Sequence, residues 1–357
     1  MDDTTPFAQG TSPPRVSVIV PVRNEERYIE KCLRSVLEGT HPTYRLEVFV
    51  VDGCSDDLTV GKVEDLIERE RWPITILRND AKMIPHALNL AIKRCTGDYI
   101  CRIDAHASYP PEYIETLVRH MESRADVDNV GCAINTTPSN STVSAQAIAL
   151  AMSHPFGVGD ARFRTGVKEE KLVDTVPFGF FRRTAFEKYG LFDEEMLRHE
   201  DGEMNHRIIR SGGRVLIVPD VTVTYYARPS FAALARMYHQ YGYFKPLAQA
   251  KLRRPVSYRQ FAPVALIGTL AVLFGCAAIL RSLPALIAAL LVIAAYGLAA
   301  VISALHLVTT RGERLKLVPA IVAAFATMHF SWGLGYFRGL VSFVLLRKRL
   351  KDIGTTR

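Results

Sequence analysis

Residues 15–37, RVSVIVPVRNEERYIEKCLRSVL, followed by residues 46–57, LEVFVVDGCSDD, decide the fold. The opening octet is apolar and β-branched, bounded by Pro14 and Arg23, and predicts a strand. Ile29, Leu33, Val36 and Leu37 then recur at helical spacing and predict a helix over 25–38. Residues 46–51 predict a second strand ending in Asp52-Gly53, after which Asp56-Asp57 can cap a second helix. Working outward, 74–77 reads as a third strand, 85–95 as a helix closed by Gly97, and 99–103 (YICRI) as a fourth strand ending in Asp104. Pro110-Pro111 opens a further helix, and 130–134 reads as a fifth strand. Strands alternating with helices predict a parallel α/β sheet, and near-continuous apolar strands predict cover on both faces.

Such sheets bind ligands at the carboxyl ends of their strands. Those ends carry Arg23-Asn24-Glu25, Asp52, Asn79-Asp80 and Asp104-Ala105-His106. No G-x-G-x-x-G follows the first strand; the acidic Glu25-Glu26 there disfavours a dinucleotide pyrophosphate, and no P-loop is present. Asp104 and His106, two apart in extended chain, would point the same way and suit Mn²⁺ or Mg²⁺ held together with a diphosphate. Alternatively, Asp104 caps a turn and His106 is merely nearby. Asp52 either accepts from a base or ribose edge or caps the Gly53-Cys54-Ser55 turn. Arg78 and Lys82 either meet phosphate or are solvated surface cations.

The 357 residues are 48% hydrophobic and 22% charged, which excludes a disordered chain. Lys+Arg 44 against Asp+Glu 36 leaves a net charge of +8, suited to an anionic partner. The six cysteines form no C-x-x-C pair, so a zinc ribbon is not expected, and they read as reduced cytosolic thiols. Residues 1–14 read as a disordered segment without signal-peptide character. Runs 263–280 and 283–308 carry no charge and are long enough to span a bilayer. A third apolar run, 317–346, contains His329 and Arg338 and can be a single span, a re-entrant segment or a hairpin around Gly333 and Gly335. Lys251, Arg253, Arg254 and Arg259 precede the first span, and Arg311, Arg314 and Lys316 follow the second. By the positive-inside rule both clusters face the cytosol, which makes this a multi-pass protein of the cytoplasmic membrane. Residues 229–262 mix aromatic and basic side chains and read as an interfacial amphipathic segment; 347–357 is a basic tail.

Further along, VPFGFF (176–181) precedes Arg182-Arg183, and HEDGEMNHRIIRSGGRV (199–215) places three acids at a helix start. Those acids suit the helix dipole, and one of them can also serve as a general base. Together with VSVIVPVRNEERYIEKCLRSVL, VVDGCSDD and TGDYICRIDAHA, this segment resembles the GT-A family 2 glycosyltransferases over about 15–226. The likeness implies a GT-A, Rossmann-like, mostly parallel catalytic domain over 15–228, followed by transmembrane helices over 263–346.

By matched position the resemblance assigns Asp52 to the nucleobase and Pro21, Arg23 and Glu25 to the nucleotide site, with Lys82 and Asp104 also on the donor. It assigns Asp104 and His106 to a divalent metal, Mn²⁺ or Mg²⁺, and Asp201 of the Glu200-Asp201 pair to the catalytic base. Gly179, Arg182, Glu200 and Gln240 fall where donor or acceptor loops are expected. His106 replaces the second Asp of the family's D-x-D, which leaves the site one negative charge short. The Q-x-x-R-W signature of processive synthases is missing around Gln240, so single-sugar transfer is expected. The D-A-H-A form with C-terminal spans is similar to succinoglycan-type glucosyltransferases. It implies a UDP-hexose donor, a polyprenyl-diphosphate-linked glycan acceptor in the membrane, other glycan-assembly enzymes as partners, and no nucleic acid. The whole reading requires the acids at 52, 104 and 201 to gather around one cleft. The alternatives are a non-catalytic membrane scaffold with a degenerate transferase fold and, more remotely, a nucleotidyltransferase.

Overall fold

The computed structural model describes residues 12–38, 43–159, 161–252 and 258–347. Nearly all of the expected N-terminal segment, part of 229–262 and all of the basic tail except Arg347 lie outside the described residues. The elements run β1 (Arg15–Val22), α1 (Ile29–Leu37), β2 (Arg45–Asp52), α2 (Thr59–Glu70), β3 (Ile74–Arg78), α3 (Ile84–Ile92), β4 (Tyr99–Arg102) and β5 (Ala107–Ser108). Then come α4 (Tyr113–Ser123), β6 (Asn129–Thr137), α5 (Val143–Ala151), α6 (Pro155–Val158), α7 (Arg162–Thr165), β7 (Lys171–Leu172), β8 (Phe180–Arg182) and α8 (Arg183–Tyr189). The chain continues through α9 (Glu200–Arg210), β9 (Val215–Tyr226), α10 (Phe231–Leu252), α11 (Ala262–Ile279), α12 (Leu283–Arg311) and α13 (Val318–Gly339).

The strand order is β3-β2-β1-β4-β8-β6-β9-β5, with β7 on β9. β1 pairs in parallel with β2 and β4, and β2 with β3, as the alternation predicts. Beyond β4 the pattern changes, because β8 is antiparallel to both β4 and β6. The chain divides into two compact units. The first comprises the residues through Cys132, Lys171–Phe192 and Arg207–Val221; the second comprises Ala133–Glu170, Asp193–His206 and Thr222 onward.

In the first unit, Val16, Val18, Ile19 and Val20 of β1 and Val48, Val50 and Val51 of β2 are buried. Ile29, Cys32 and Leu33 of α1 and Val63 and Leu66 of α2 are buried as well, which covers the sheet. The amino ends of the strands are tied by Glu47, whose carboxylate accepts from Thr96 N at 2.7 Å, from Gly97 N at 3.1 Å and from the Ser17 hydroxyl. Those bonds outweigh the cost of its partial burial and hold Glu47 below the usual carboxylate range.

In the second unit, α11, α12 and the run Leu315–Leu345 are long and apolar enough to cross a membrane. α11 and α12 present Val272, Leu290, Leu291, Leu298 and Ile302 outward. The third run is one helical course, α13 followed by a π-helical turn over Leu340–Leu345, so it is not a hairpin. Its glycines serve close packing instead. A Cβ on Gly335 would collide with the His239 carbonyl of α10, one on Gly339 with that of Tyr243, and one on Gly333 with Ile267 and the Pro263 carbonyl of α11. Small residues let helix backbones approach where side chains would separate them.

Arg182 departs from its expected donor or acceptor role. It is in register with Tyr99, the first residue of β4, at the opposite end of that strand from Asp104. Its guanidinium donates to the carbonyls of Val127 (2.9 Å), Arg124 (3.1 Å) and Met121. It therefore closes the carboxyl end of α4, where a cation also suits the helix dipole. Arg182→Met is expected to lower unfolding stability by about 2–4 kcal/mol while donor KM stays unchanged. Denaturant unfolding together with donor titration checks this; a raised donor KM at unchanged stability would restore the binding role.

Candidate active site

Parallel pairing brings the carboxyl ends of β1, β2, β3 and β4 to one edge of the sheet, with Val22 opposite Asp52 and Asp52 opposite Arg78. The loops after β1 and β2 are knitted together there. Asn24, at φ +57, donates its N–H to the Ser55 hydroxyl oxygen at 2.9 Å and accepts Asp56 N–H on Oδ1 at 3.0 Å. Glu25 N–H reaches Thr59 Oγ1 at 2.8 Å, and Glu26 N–H reaches Asp57 Oδ2 at 3.2 Å. These bonds hold the polar residues in a loop, and α1 begins only at Ile29. Pro21, Arg23 and Glu25 line this edge half-buried.

Asp52 is 8% exposed. Its carboxylate accepts from the Ser55 hydroxyl at 2.6 Å and from Ser55 N–H at 3.1 Å. The turn-capping role is thus present in the structure, and a ligand would meet an acid already held in place. Lys82 is exposed in the turn after β3 at φ +60, where its N–H bonds the Asn79 carbonyl at 3.1 Å.

Asp104 leaves β4 into a turn closed by Ala107 N–H on the Asp104 carbonyl at 3.2 Å. The chain across 104–106 is therefore bent and not extended. Asp104 Oδ1 takes Nε of Arg102 at 3.3 Å, and Asp104 N–H meets the Tyr109 hydroxyl at 2.8 Å. Arg102 itself is buried, 4% exposed, and Asp104 is one of the groups that meet its charge. His106 Nδ1 stands 3.3 Å from Glu25 Oε1. Burial raises the pKa of the neighbouring Cys32 thiol, and the charges of Asp104 and Glu25 raise it further, which marks a locally negative field.

Carboxylate oxygens plus an imidazole suit Mn²⁺ or Mg²⁺. Among the described residues no three His, Cys, Asp or Glu side chains form a closed cage. Asp104 and His106, the residues expected to hold such an ion, both follow β4, and a carboxylate with an imidazole is a donor pair of the right chemistry. Gly179 lies beside this edge, its carbonyl accepting Arg102 N–H at 3.0 Å. A Cβ there would meet the Phe181 ring and Asn129. The preceding Phe178 is held at φ +51, and its carbonyl accepts the Tyr113 hydroxyl at 3.3 Å.

The second unit carries Glu200, Asp201 and Gln240. Glu200 is buried and Asp201 half-buried at the first turn of α9, where the dipole favours carboxylates. Arg198 donates to Gln240 Oε1 at 2.6 Å. His199, at φ +68, donates Nε2–H to the Tyr241 carbonyl at 2.8 Å, and its own carbonyl accepts Glu203 N–H at 2.9 Å. Desolvation pushes His199 down to about 3, and the charges of Lys245 and Arg198 act in the same direction. Sequence reasoning gave no role to Arg102, Tyr109 or His199. For Arg102 the signal was a charge inside the buried strand YICRI; for the other two no sequence signal exists.

The strand-end site on this sheet, with an acid-led helix elsewhere in the chain, defines the GT-A class of fold. Residues 17–190 match the Glycosyl transferase family 2 model, and the chain carries a glycosyltransferase family 2 domain. A mannosyltransferase, PcManGT from Pyrobaculum calidifontis, solved with GDP-Man and Mn²⁺, superposes with a TM-score of 0.59 at 24% identity, covering 92% of this chain and 88% of that one. The succinoglycan biosynthesis protein ExoA of Rhizobium meliloti is 26% identical over 328 residues, 91% of this chain and 95% of that protein. The dolichyl N-acetyl-alpha-D-glucosaminyl phosphate 3-beta-D-2,3-diacetamido-2,3-dideoxy-beta-D-glucuronosyltransferase of Methanococcus voltae is 29% identical over 239 residues, 65% of this chain and 73% of that protein.

The folded state disfavours a proton on His199, so between about 3 and its ordinary value near 6.5 the unfolded chain binds more protons. Stability from this group is therefore complete above that window and is lost as pH falls through it. His199→Asn is expected to flatten the fall in thermal midpoint between pH 6.5 and 4 relative to wild type; parallel slopes would contradict a neutral folded His199.

Proposed function

We propose that this chain transfers a single hexose, with inversion, from a nucleotide-diphosphate sugar to a polyprenyl-diphosphate-linked glycan in the membrane. The product belongs to exopolysaccharide or cell-surface glycan synthesis. The carrying observation is the family 2 domain with Asp52 and Asp104 at the carboxyl ends of parallel strands, in one chain with three helices apolar enough to span a bilayer. The names of the relatives from Rhizobium meliloti and Methanococcus voltae point to succinoglycan and to a dolichyl-phosphate-linked acceptor, which supports a lipid-linked glycan. The ligands named for PcManGT support a nucleotide sugar and Mn²⁺.

In this reading Asp52 receives the base edge, while Pro21, Arg23, Glu25 and Lys82 border the nucleotide. A divalent ion on Asp104 and His106, when bound, neutralises charge on the departing diphosphate. The acceptor hydroxyl attacks C1 from the face opposite the diphosphate. The new C–O bond forms as the C1–O bond to phosphate breaks, and the hydroxyl proton passes to Asp201. Glu200, Gly179 and Gln240 border the acceptor or donor. Membrane helices confine the enzyme to the surface where its acceptor is dissolved and so raise the effective concentration. Arg311, Arg314 and Lys316 support a cytosolic catalytic face on the cytoplasmic membrane.

The test uses the full chain in nanodiscs with Mn²⁺, a lipid-linked glycan extract, and UDP-glucose, UDP-galactose or GDP-mannose, scored by nucleotide diphosphate release. One donor is expected to turn over, and Asp201→Asn is expected to cut kcat by roughly 10²–10⁴ with little change in donor KM. Turnover unaffected by Asp201→Asn overturns the base assignment. No turnover with any donor favours the scaffold reading, which His106 in place of a second Asp keeps in view.

A further inference from the structure

Arg198 and His199, immediately before the Glu200-Asp201 pair, both bond to α10 of the second unit. Gly335 and Gly339 of α13 leave room for the carbonyls of His239 and Tyr243 in α10, and Gly242 of α10 lies against the Trp332 carbonyl of α13. No side chain can be inserted at these points, so the register of α10 on α13 is fixed. Tyr241 lies within this contact stretch, and its carbonyl carries the 2.8 Å bond from His199 Nε2–H. Pro246, inside α10, has no N–H for the neighbouring Gly242 carbonyl, yet α10 runs through it from Phe231 to Leu252. The His199 ring lies 5.7 Å from Tyr241 and edge-on to Trp332 at 6.1 Å. Arg198 adds the tie to Gln240.

His199 is also a non-glycine residue in the left-handed region, immediately before the acids. Its carbonyl opens α9 by accepting Glu203 N–H. Strain of this kind persists only where surrounding contacts impose it, and the contacts here come from α10 and α13. We propose that α13, besides being apolar enough for an anchor, sets the position of the Asp201 carboxylate through α10 and His199, with His199 as a positioning residue. This rests on reading Asp201 as the base. A half-buried His199 beside that acid and an apolar helix that holds it would make catalytic competence depend on correct packing of the third apolar helix, even for an acceptor without a long lipid.

The experiment compares wild type, His199→Ala, His199→Asn, Gly335→Leu and Asp201→Asn as full chains in nanodiscs. It reads kcat and donor KM separately, using whichever of UDP-glucose, UDP-galactose and GDP-mannose turns over, and hydrogen exchange of peptides covering 198–206. Asn tolerates positive φ and can donate to the Tyr241 carbonyl, so it is the conservative replacement. His199→Ala and Gly335→Leu are expected to lower kcat at least about tenfold with donor KM within about twofold, and to speed exchange at 200–204. His199→Asn is expected to recover most of kcat.

Wild-type kcat in His199→Ala, or faster exchange confined to 235–245 and 330–340, overturns the seat. Should Asp201→Asn keep full activity, the base reading fails; exchange at 200–204 in the Gly335→Leu protein still decides the mechanical link. If the Ala and Leu variants do not fold, a kcat in His199→Asn indistinguishable from wild type, with faster exchange at 200–204, counts against positioning. A kcat in His199→Asn that falls only in proportion to faster exchange at 200–204, at unchanged donor KM, supports it.

Discussion

Parallel pairing of β1 with β2 and β4 is the constraint on which the first unit's site depends. Because these strands run in the same direction in fixed register, their carboxyl ends fall on one edge, and loops separated by dozens of residues meet there. The cross-loop bonds from Asn24, Glu25 and Glu26 to the loop after β2 follow from that placement. So does the approach of His106 to Glu25. A one-residue slip of β1 against β2 would shift the loop after β1 along the loop after β2 and separate these groups. The hydrophobic pattern of two short strands thus secures a polar site at their ends, with Asp52 the last residue of β2.

Apart from the two-residue β5, the strands and helices through residue 123 were legible because each carries its own periodicity. Helix starts were less so. Residues 25–28 fit the helical pattern, yet their polar groups find partners in the loop after β2, and α1 starts four residues later than the expected helix. β8 is only three residues long and pairs antiparallel, so nothing in its own sequence announces it. β9 contains Pro219-Asp220, which interrupts the apolar alternation that would have marked a strand. For the site, residue types at strand ends exposed Asp52 and Asp104. Arg182 was misread because charge gives no direction: only its register with Tyr99 shows that it faces the end of α4. The role of His199 depends on a carbonyl 42 residues away and on a backbone angle, and composition encodes neither.

The glycines of α13 carry a related lesson. In sequence, Gly333 and Gly335 suggest a turn; in the structure they are contact points in an unbroken helix. Glycine inside an apolar helix weakens it intrinsically, by about 1 kcal/mol relative to alanine, and is retained where another backbone must come close. Here the close neighbour, α10, also holds the residues that lead into α9. One packing surface thus joins a helix apolar enough to span a membrane to the residues that precede α9.

The proposed function requires the strand-end acids and the acid of α9 to act on one donor. The most direct measurement is an experimental structure of the full chain in lipid, with Mn²⁺ and the nucleotide diphosphate of its active donor. The account predicts the base edge on Asp52, the ion between the diphosphate and Asp104 with His106, and the Asp201 carboxylate facing the position vacated by C1. A nucleotide bound elsewhere, or an Asp201 carboxylate turned away from it, would contradict the account.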